Sequence, residues 1–232
     1  MSGGILFYGD PHGNWRPLFR AAKTHEPAAV VLLGDMDLEV PLRQQLHPLF
    51  EAGIMVRWIP GNHDVDKIEW HDRLWEDFPG GNLHGGWAQL GGMIVAGLGG
   101  VYKEKVWYPK YGDEQPLFKT RTELIRSISR DDRFRGGLPL SHRDTILPAD
   151  HVELRHLKPE ILVCHEAPTS HKHGFGGIDD LARDMKVRLV VHGHHHHSYT
   201  GRTRGGTWVR GLGKAEPWVV TREMLANWRG SV

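Results

Sequence analysis

Three apolar runs open this 232-residue chain, and each one ends in the same way. Ile5–Tyr8 runs into Gly9-Asp10, Ala28–Leu33 into Gly34-Asp35, and Ile54–Ile59 into Pro60-Gly61-Asn62. Asp10 and Asp35 stand 25 positions apart, and Asp35 and Asn62 stand 27 apart. Each interval leaves room for a loop, a helix and a returning strand. Between the first two runs, Trp15–His25 places Leu18, Ala21 and Ala22 on one helical face. Val40–Glu51 predicts a second helix. Strands joined through helices run parallel and cross over right-handedly. The chain therefore predicts an α/β fold whose polar residues line up at the carboxyl ends of the strands. Open α/β sheets bind their ligands there.

Farther along, the pattern changes and then returns. Gly80-Gly81, Gly85-Gly86, Gly91-Gly92 and Gly99-Gly100 punctuate short apolar runs, Met93–Leu98 among them, and predict antiparallel strands with tight turns. Ile161–Val163 and Leu189–Val191 are two more buried strands, with a helix around Leu181–Met185 between them. Trp208–Leu212 and Trp218–Thr221 read as closing strands. The stretch at about 102–148 fits no sheet pattern, is rich in Lys, Arg, Trp and Tyr, and carries a helix near Phe118–Ser129. It reads as a lid or insertion over the active-site face of one domain spanning residues 1–232.

Bulk properties narrow the field. A net charge of +1 argues against long nucleic acids, whose phosphate backbones call for clustered Lys and Arg. Cys164 is the only cysteine, so no disulfide framework exists. Met1–Gly4 has no basic region, and Ile5–Tyr8 is too short for a signal peptide or membrane span. These features lead to the expectation of a soluble cytoplasmic protein with no membrane partner. Histidine is over-used, at 17 residues.

Two later runs end in histidines, Cys164-His165-Glu166 and Gly193-His194-His195-His196. With the first three they make five strand ends rich in Asp, Asn and His, the ligands of borderline transition metals. Asp10 and His12 stand two apart, which in extended backbone points both side chains the same way. His194 and His196 repeat that spacing. Asp35 is a lone carboxylate able to bridge two cations, Asn62 offers a neutral oxygen, and His165 a ring nitrogen. Seven ligands with one shared suit two divalent ions about 3.5–4 Å apart, a pair that lowers the pKa of a bridging water and clamps a phosphate. Mn, Fe, Zn and Co all accept this donor set. His63, beside Asn62, is the candidate general acid, and Asp64 the carboxylate that orients its ring.

This constellation resembles the calcineurin-like metallophosphoesterases. The likeness rests on Asp10-x-His12, Gly34-Asp35, Gly61-Asn62-His63-Asp64, His165 and Gly193-His194-x-His196, and spans residues 9 to 196. It implies two β-sheets packed face to face and flanked by helices. It also implies that Asp10, His12, Asp35 and His196 hold one ion, that Asp35, Asn62, His165 and His194 hold the other, and that His63 acts on the leaving group. Gly9-Asp10-Pro11-His12-Gly13-Asn14 further resembles the protein serine/threonine phosphatase and dinucleoside tetraphosphatase branch. That branch carries an Asp-Arg-Gly after its second motif and a Glu after Asn-His. This chain has Asp35-Met36-Asp37-Leu38 and Asp64 instead.

The function expected is hydrolysis of a phosphate monoester by a hydroxide bridging two metals, on a phosphorylated small molecule, nucleotide or protein. A phosphodiesterase acting on a nucleotide or nucleic acid is one alternative, and a non-catalytic module of the same fold another. Arg130, Arg133 and Arg135 are candidates for the missing phosphate clamp, although Asp131 and Asp132 beside them also suit a solvated ion-pair face. Asp37 and Glu166 read as groups behind the ligands or in solvent. His195 and His197 alternate away from the metals.

Overall fold

The computed structural model describes residues 3–228 and contains two β-sheets. In the first, β1 (Ile5–Gly9), β2 (Ala29–Leu32) and β3 (Met55–Trp58) are parallel, and β10 (Glu216–Val220) pairs antiparallel with β1. The second runs in the order β4 (Trp87–Leu90), β5 (Met93–Leu98), β6 (Ile161–Cys164), β7 (Leu189–His192), β9 (Trp208–Gly211), β8 (Tyr199–Arg202). Its four inner strands are parallel and its two outer strands antiparallel to their neighbours.

Strand geometry explains why the apolar runs are continuous. Successive side chains point to opposite faces. Ile5, Phe7, Ala29 and Val31 face the second sheet, where they meet Val95, Ile161, Val163, Leu189 and Val191. Leu6, Tyr8, Val30 and Leu32 face the other way, onto Leu18, Ala21 and Ala22 of the helix Arg16–His25. On the outer face of the second sheet, Leu162, Cys164 and Val190 pack against Ile178, Leu181 and Met185 of the helix Gly176–Met185. The molecule is thus a two-sheet sandwich flanked by helices.

Local chemistry adjusts several expectations. Val40–Glu51 forms two short helices, Leu42–Gln45 and His47–Glu51, rather than one. Pro48 lies in the first turn of the second and has no N–H for the fourth carbonyl back, so a continuous helix cannot pass through it. The helix near Phe118–Ser129 is shortened to Arg121–Ser127, capped by the Thr120 side chain, which accepts the Glu123 N–H at 3.2 Å. Gly91-Gly92 turns β4 into β5 with both residues at positive φ, 51° and 77°. A two-residue hairpin loop of the type favoured by strand twist needs this at both positions. Among the described residues no helix is long and apolar enough to cross a membrane.

The stretch after Val101 leaves the second sheet and comes back at Thr145, where Val101 N donates to Asp144 O (2.8 Å) and Ile146 N to Val101 O (3.0 Å). It has its own small core of Val106, Leu124, Leu138 and Leu147. Its turn Leu140–His142 packs against the turn His63–Val65.

Tyr102, in the same stretch, sets its hydroxyl 2.8 Å from Nε2 of the buried His151. Burial outweighs the nearby Asp150 charge and holds the His151 pKa down to about 3. Below about pH 6.5 the unfolded chain takes up a proton that the folded chain refuses, so stability falls with acid. One such proton is worth about 1.4 kcal/mol per pH unit. Wild type should therefore lose about 2 kcal/mol more than His151→Gln between pH 7 and 5. Urea unfolding at both pH values measures it, and parallel pH curves for the two proteins would refute it.

Candidate metal centre

The carboxyl ends of β1, β2 and β3 lie beside those of β6 and β7, and the motif residues follow them directly. Close approach at this junction depends on glycine. A Cβ on Gly34 would stand 2.6 Å from Gly61 Cα and from His165 Nδ1, and one on Gly61 would stand 2.6 Å from Asp35 N. No side chain fits between the second motif, the third motif and His165.

His12, Asp35 and His196 each bring a donor atom within 4.8 Å of the others, and so do Asp35, His165 and His194. The two groups share Asp35. His12 Nε2 lies 3.0 Å from His196 Nε2 and 3.8 Å from Asp35 Oδ2. His165 Nε2 lies 3.4 Å from Asp35 Oδ2 and 3.1 Å from Asn62 Oδ1. Asp10 is fully buried behind both groups, its carboxylate accepting the His194 N–H at 2.9 Å and standing 3.8 Å from His165 Nδ1.

This donor set fits cations. Two imidazole nitrogens facing each other at 3.0 Å point their lone pairs toward one place. Two buried carboxylates stand close by with little but histidine to balance them. Burial raises the Asp10 pKa to about 7 even against the pull of His165. Burial would raise Asp35 too, but the charge and hydrogen bond of His165 and the His63 N–H hold it well below the carboxylate range. His165 responds in kind. Burial lowers its pKa, yet the Asp35 and Asp10 charges raise it to about 10. The acids thus stabilise positive charge at this place, as they would a bound cation.

The backbone here is unusual. Asp10, His12, Asp35, Asp37, His194 and His196 all have φ between 39° and 69°. Non-glycine residues seldom adopt this left-handed region, and such conformations collect at functional sites. The expectation of extended backbone at Asp10–His12 and His194–His196 is thereby corrected. Of the two pairs, only the histidines divide between the groups. His196 joins the first group and His194 the second.

Asp64 also departs from its expected role. Its carboxylate accepts the N–H groups of Asp35 (3.0 Å), Met36 (2.8 Å) and Gly61 (2.7 Å) and does not touch the His63 ring. It is buried and ties the second motif to the third. The partner of His63 is Asp66, whose Oδ2 lies 2.6 Å from Nδ1. In the tight 3₁₀ turn His63–Val65, positions i and i+3 eclipse each other, which brings Asp66 under the ring. That spacing was the available signal. Asp37 likewise holds His12, with Oδ2 3.1 Å from Nδ1. Carboxylates of this kind fix the tautomer and orientation of a ligating imidazole. Burial lowers the His63 pKa, but the Asp66 hydrogen bond and the Asp35, Asp66 and Asp37 charges outweigh it and raise it above the usual value.

Asp64→Ala should therefore act on stability. It leaves three N–H groups without an acceptor, a loss of about 3 kcal/mol or more. The melting temperature should fall by roughly 6–12 °C. An unchanged melting temperature with lost turnover would return Asp64 to the role of ring partner.

The arginine clamp is corrected as well. Arg133 donates to the carbonyls of Ile125 (2.9 Å) and Ile128 (3.1 Å). Arg135 pairs with Asp72 (2.8 Å) and Glu76. Arg130 lies exposed in the turn Arg130–Asp132. The first two guanidiniums are occupied by their own neighbourhood, Arg135 in ion pairs and Arg133 on backbone carbonyls. Beside His12 opens instead a cleft of about 730 Å³ lined by Gly13, Asp37, Lys67, Trp70 and Arg73.

Known proteins resemble this chain. A protein of Haemophilus influenzae, described only as uncharacterized, is 37% identical over 201 residues, covering 86% of both chains. The crystal structure of TT1561 of Thermus thermophilus superposes with a TM-score of 0.57 at 17% identity, over 95% of this chain and 99% of that one, a likeness of fold. The family profile of calcineurin-like phosphoesterases matches residues 4–198, from β1 through the last histidine motif. With that profile covering most of its length, the chain belongs to the calcineurin-like phosphoesterase family.

Proposed function

We propose that this protein is a cytoplasmic phosphoesterase that hydrolyses a phosphate monoester with two divalent metal ions. The observation that carries the reading is the pair of His/Asp groups sharing Asp35, with His63 at their rim. Asp10, His12, Asp35 and His196 would hold one ion, and Asp35, Asn62, His165 and His194 the other. When bound, such ions supply a water of lowered pKa and a positive clamp for the phosphoryl oxygens. The donors suit manganese, iron, zinc or cobalt, and manganese is the first to try.

The chain's own residues do the rest. Asp37 holds the His12 ring by Nδ1, leaving Nε2 free to ligate. His165 is held in the same way by the Leu33 carbonyl, 2.7 Å from its Nδ1. His63 carries the proton for the leaving oxygen on Nε2, while Asp66 fixes Nδ1 and stabilises the charged ring. The cleft beside His12 leaves room for a leaving group much larger than phosphate.

Trp70 in that cleft, with Lys67 Nζ 4.0 Å from its ring centroid, favours a nucleotide substrate, because an indole stacks a base; a phosphodiesterase acting on a nucleotide is therefore the second reading. A hydrolysis panel decides between them. It pairs a phosphomonoester dye with a phosphodiester dye, adds nucleotides, phosphorylated small molecules and phosphopeptides, and repeats each with manganese, iron, zinc and cobalt. Faster turnover of the monoester supports the first reading, and of the diester the second. No turnover with two metals bound leaves the fold as a non-catalytic module and defeats both.

A further inference from the structure

His195, in the register between the two ligating histidines, does not simply turn to solvent. Its Nε2 is buried without a hydrogen-bond partner among the described residues. Its ring stacks on His171 at 3.9 Å between centroids and lies 4.7 Å from the His194 ring. On the inner side stands Glu166, a carboxylate buried at 4% exposure. Donor atoms of Glu166, His194 and His195 all come within 4.8 Å of one another, and His194 Nε2 lies 3.8 Å from Glu166 Oε2. On the outer side His195 helps to line a pocket of about 620 Å³ with Ser170, His171, Lys172, His173 and Tyr199.

We propose that Glu166, His194 and His195 form an accessory site for a divalent transition-metal ion, next to the two-ion centre and reached from the pocket at His171. Two imidazoles and one carboxylate are a donor set that zinc, cobalt, iron and manganese accept. A buried imidazole nitrogen without a partner is costly, and a cation held between it and the Glu166 carboxylate would satisfy it. The site rests on the two-metal reading through His194 alone. Filling both sides at once would place one ring nitrogen of His194 on each, as a bridging imidazolate does, with the ring N–H proton released to solvent.

Equilibrium dialysis against zinc, followed by elemental analysis, counts the ions. Wild type should bind one more ion per chain than His195→Ala or the near-isosteric Glu166→Gln, with His197→Ala matching wild type. Far-UV circular dichroism establishes that each variant is folded, and the two variants lose the ion by different routes. Equal zinc content in wild type, His195→Ala and Glu166→Gln would overturn the proposal. Asp35→Asn separates it from the functional reading. If Asp35→Asn leaves zinc content unchanged while His195→Ala removes an ion, the accessory site stands and the two-ion centre falls. If Asp35→Asn loses ions while His195→Ala loses none, the reverse holds.

Discussion

Asp35→Asn is expected to abolish turnover and strip metal from both groups. Asp35 is the one residue common to the two, with Oδ2 3.8 Å from His12 Nε2 and 3.4 Å from His165 Nε2. Its Oδ1 also accepts the His63 N–H at 2.9 Å, so it sets the third motif against the second. Asparagine keeps the shape and removes the charge that would lie between two dications. A metal centre supplies several kcal/mol of transition-state stabilisation, so the loss should be roughly 10³-fold or greater. Each other ligand touches one group only. The expected order is therefore Asp35→Asn below His12→Ala and His194→Ala in both turnover and bound metal. Activity assays and elemental analysis across the ligand series measure this. If Asp35→Asn kept more metal or more activity than His12→Ala, Asp35 would not be the shared ligand.

His63→Gln should lower turnover by about 10²–10⁴-fold, the usual contribution of a positioned acid or base, while both metals remain bound. The leaving group is the control. A basic leaving group needs the proton and should suffer most, whereas an acidic leaving group departs readily as the anion and should suffer least. Asp66→Asn should show the same leaving-group dependence in weaker form, because it releases Nδ1 but keeps the ring. The alkaline limb of its pH–rate profile should also move. Loss of the Asp66 hydrogen bond and charge lowers the His63 pKa, so the pH at which the imidazolium is lost falls. Equal losses on both esters would point to phosphate binding by His63, and loss of metal to a ligand role.

Much of this site was legible before any coordinates. Strand ends can be read because a run apolar on both faces must be buried, and a glycine followed by a polar residue must end it. The strand–helix spacing put the ends of β1, β2 and β3 side by side, and the family resemblance joined the two later histidine motifs to them; Asp10, His12, Asp35, Asn62, His165, His194 and His196 all follow strand ends of the two sheets. The two sheets came from the family resemblance rather than from periodicity, since an apolar run reads the same in one sheet or two. The break at Pro48 could have been anticipated from its missing N–H.

The partnerships behind the ligands came only from the tertiary structure. Asp64 and Asp66 are both acids near a histidine, and nothing in their order says which one turns to the ring. The 3₁₀ turn decides it, carrying Asp66 under His63 and leaving Asp64 to three backbone N–H groups. The split of His194 from His196 was already implied by the family resemblance; the structure adds that both residues take left-handed φ, which histidine seldom adopts. The arginines near 130 met Asp72, Glu76 and two carbonyls first. Sequence by itself determined which residue types stand at the strand ends, because burial and chain reversal leave marks in the local pattern. The tertiary structure decided which of them face one another, because a side-chain hydrogen bond depends on distances between segments that no local pattern contains.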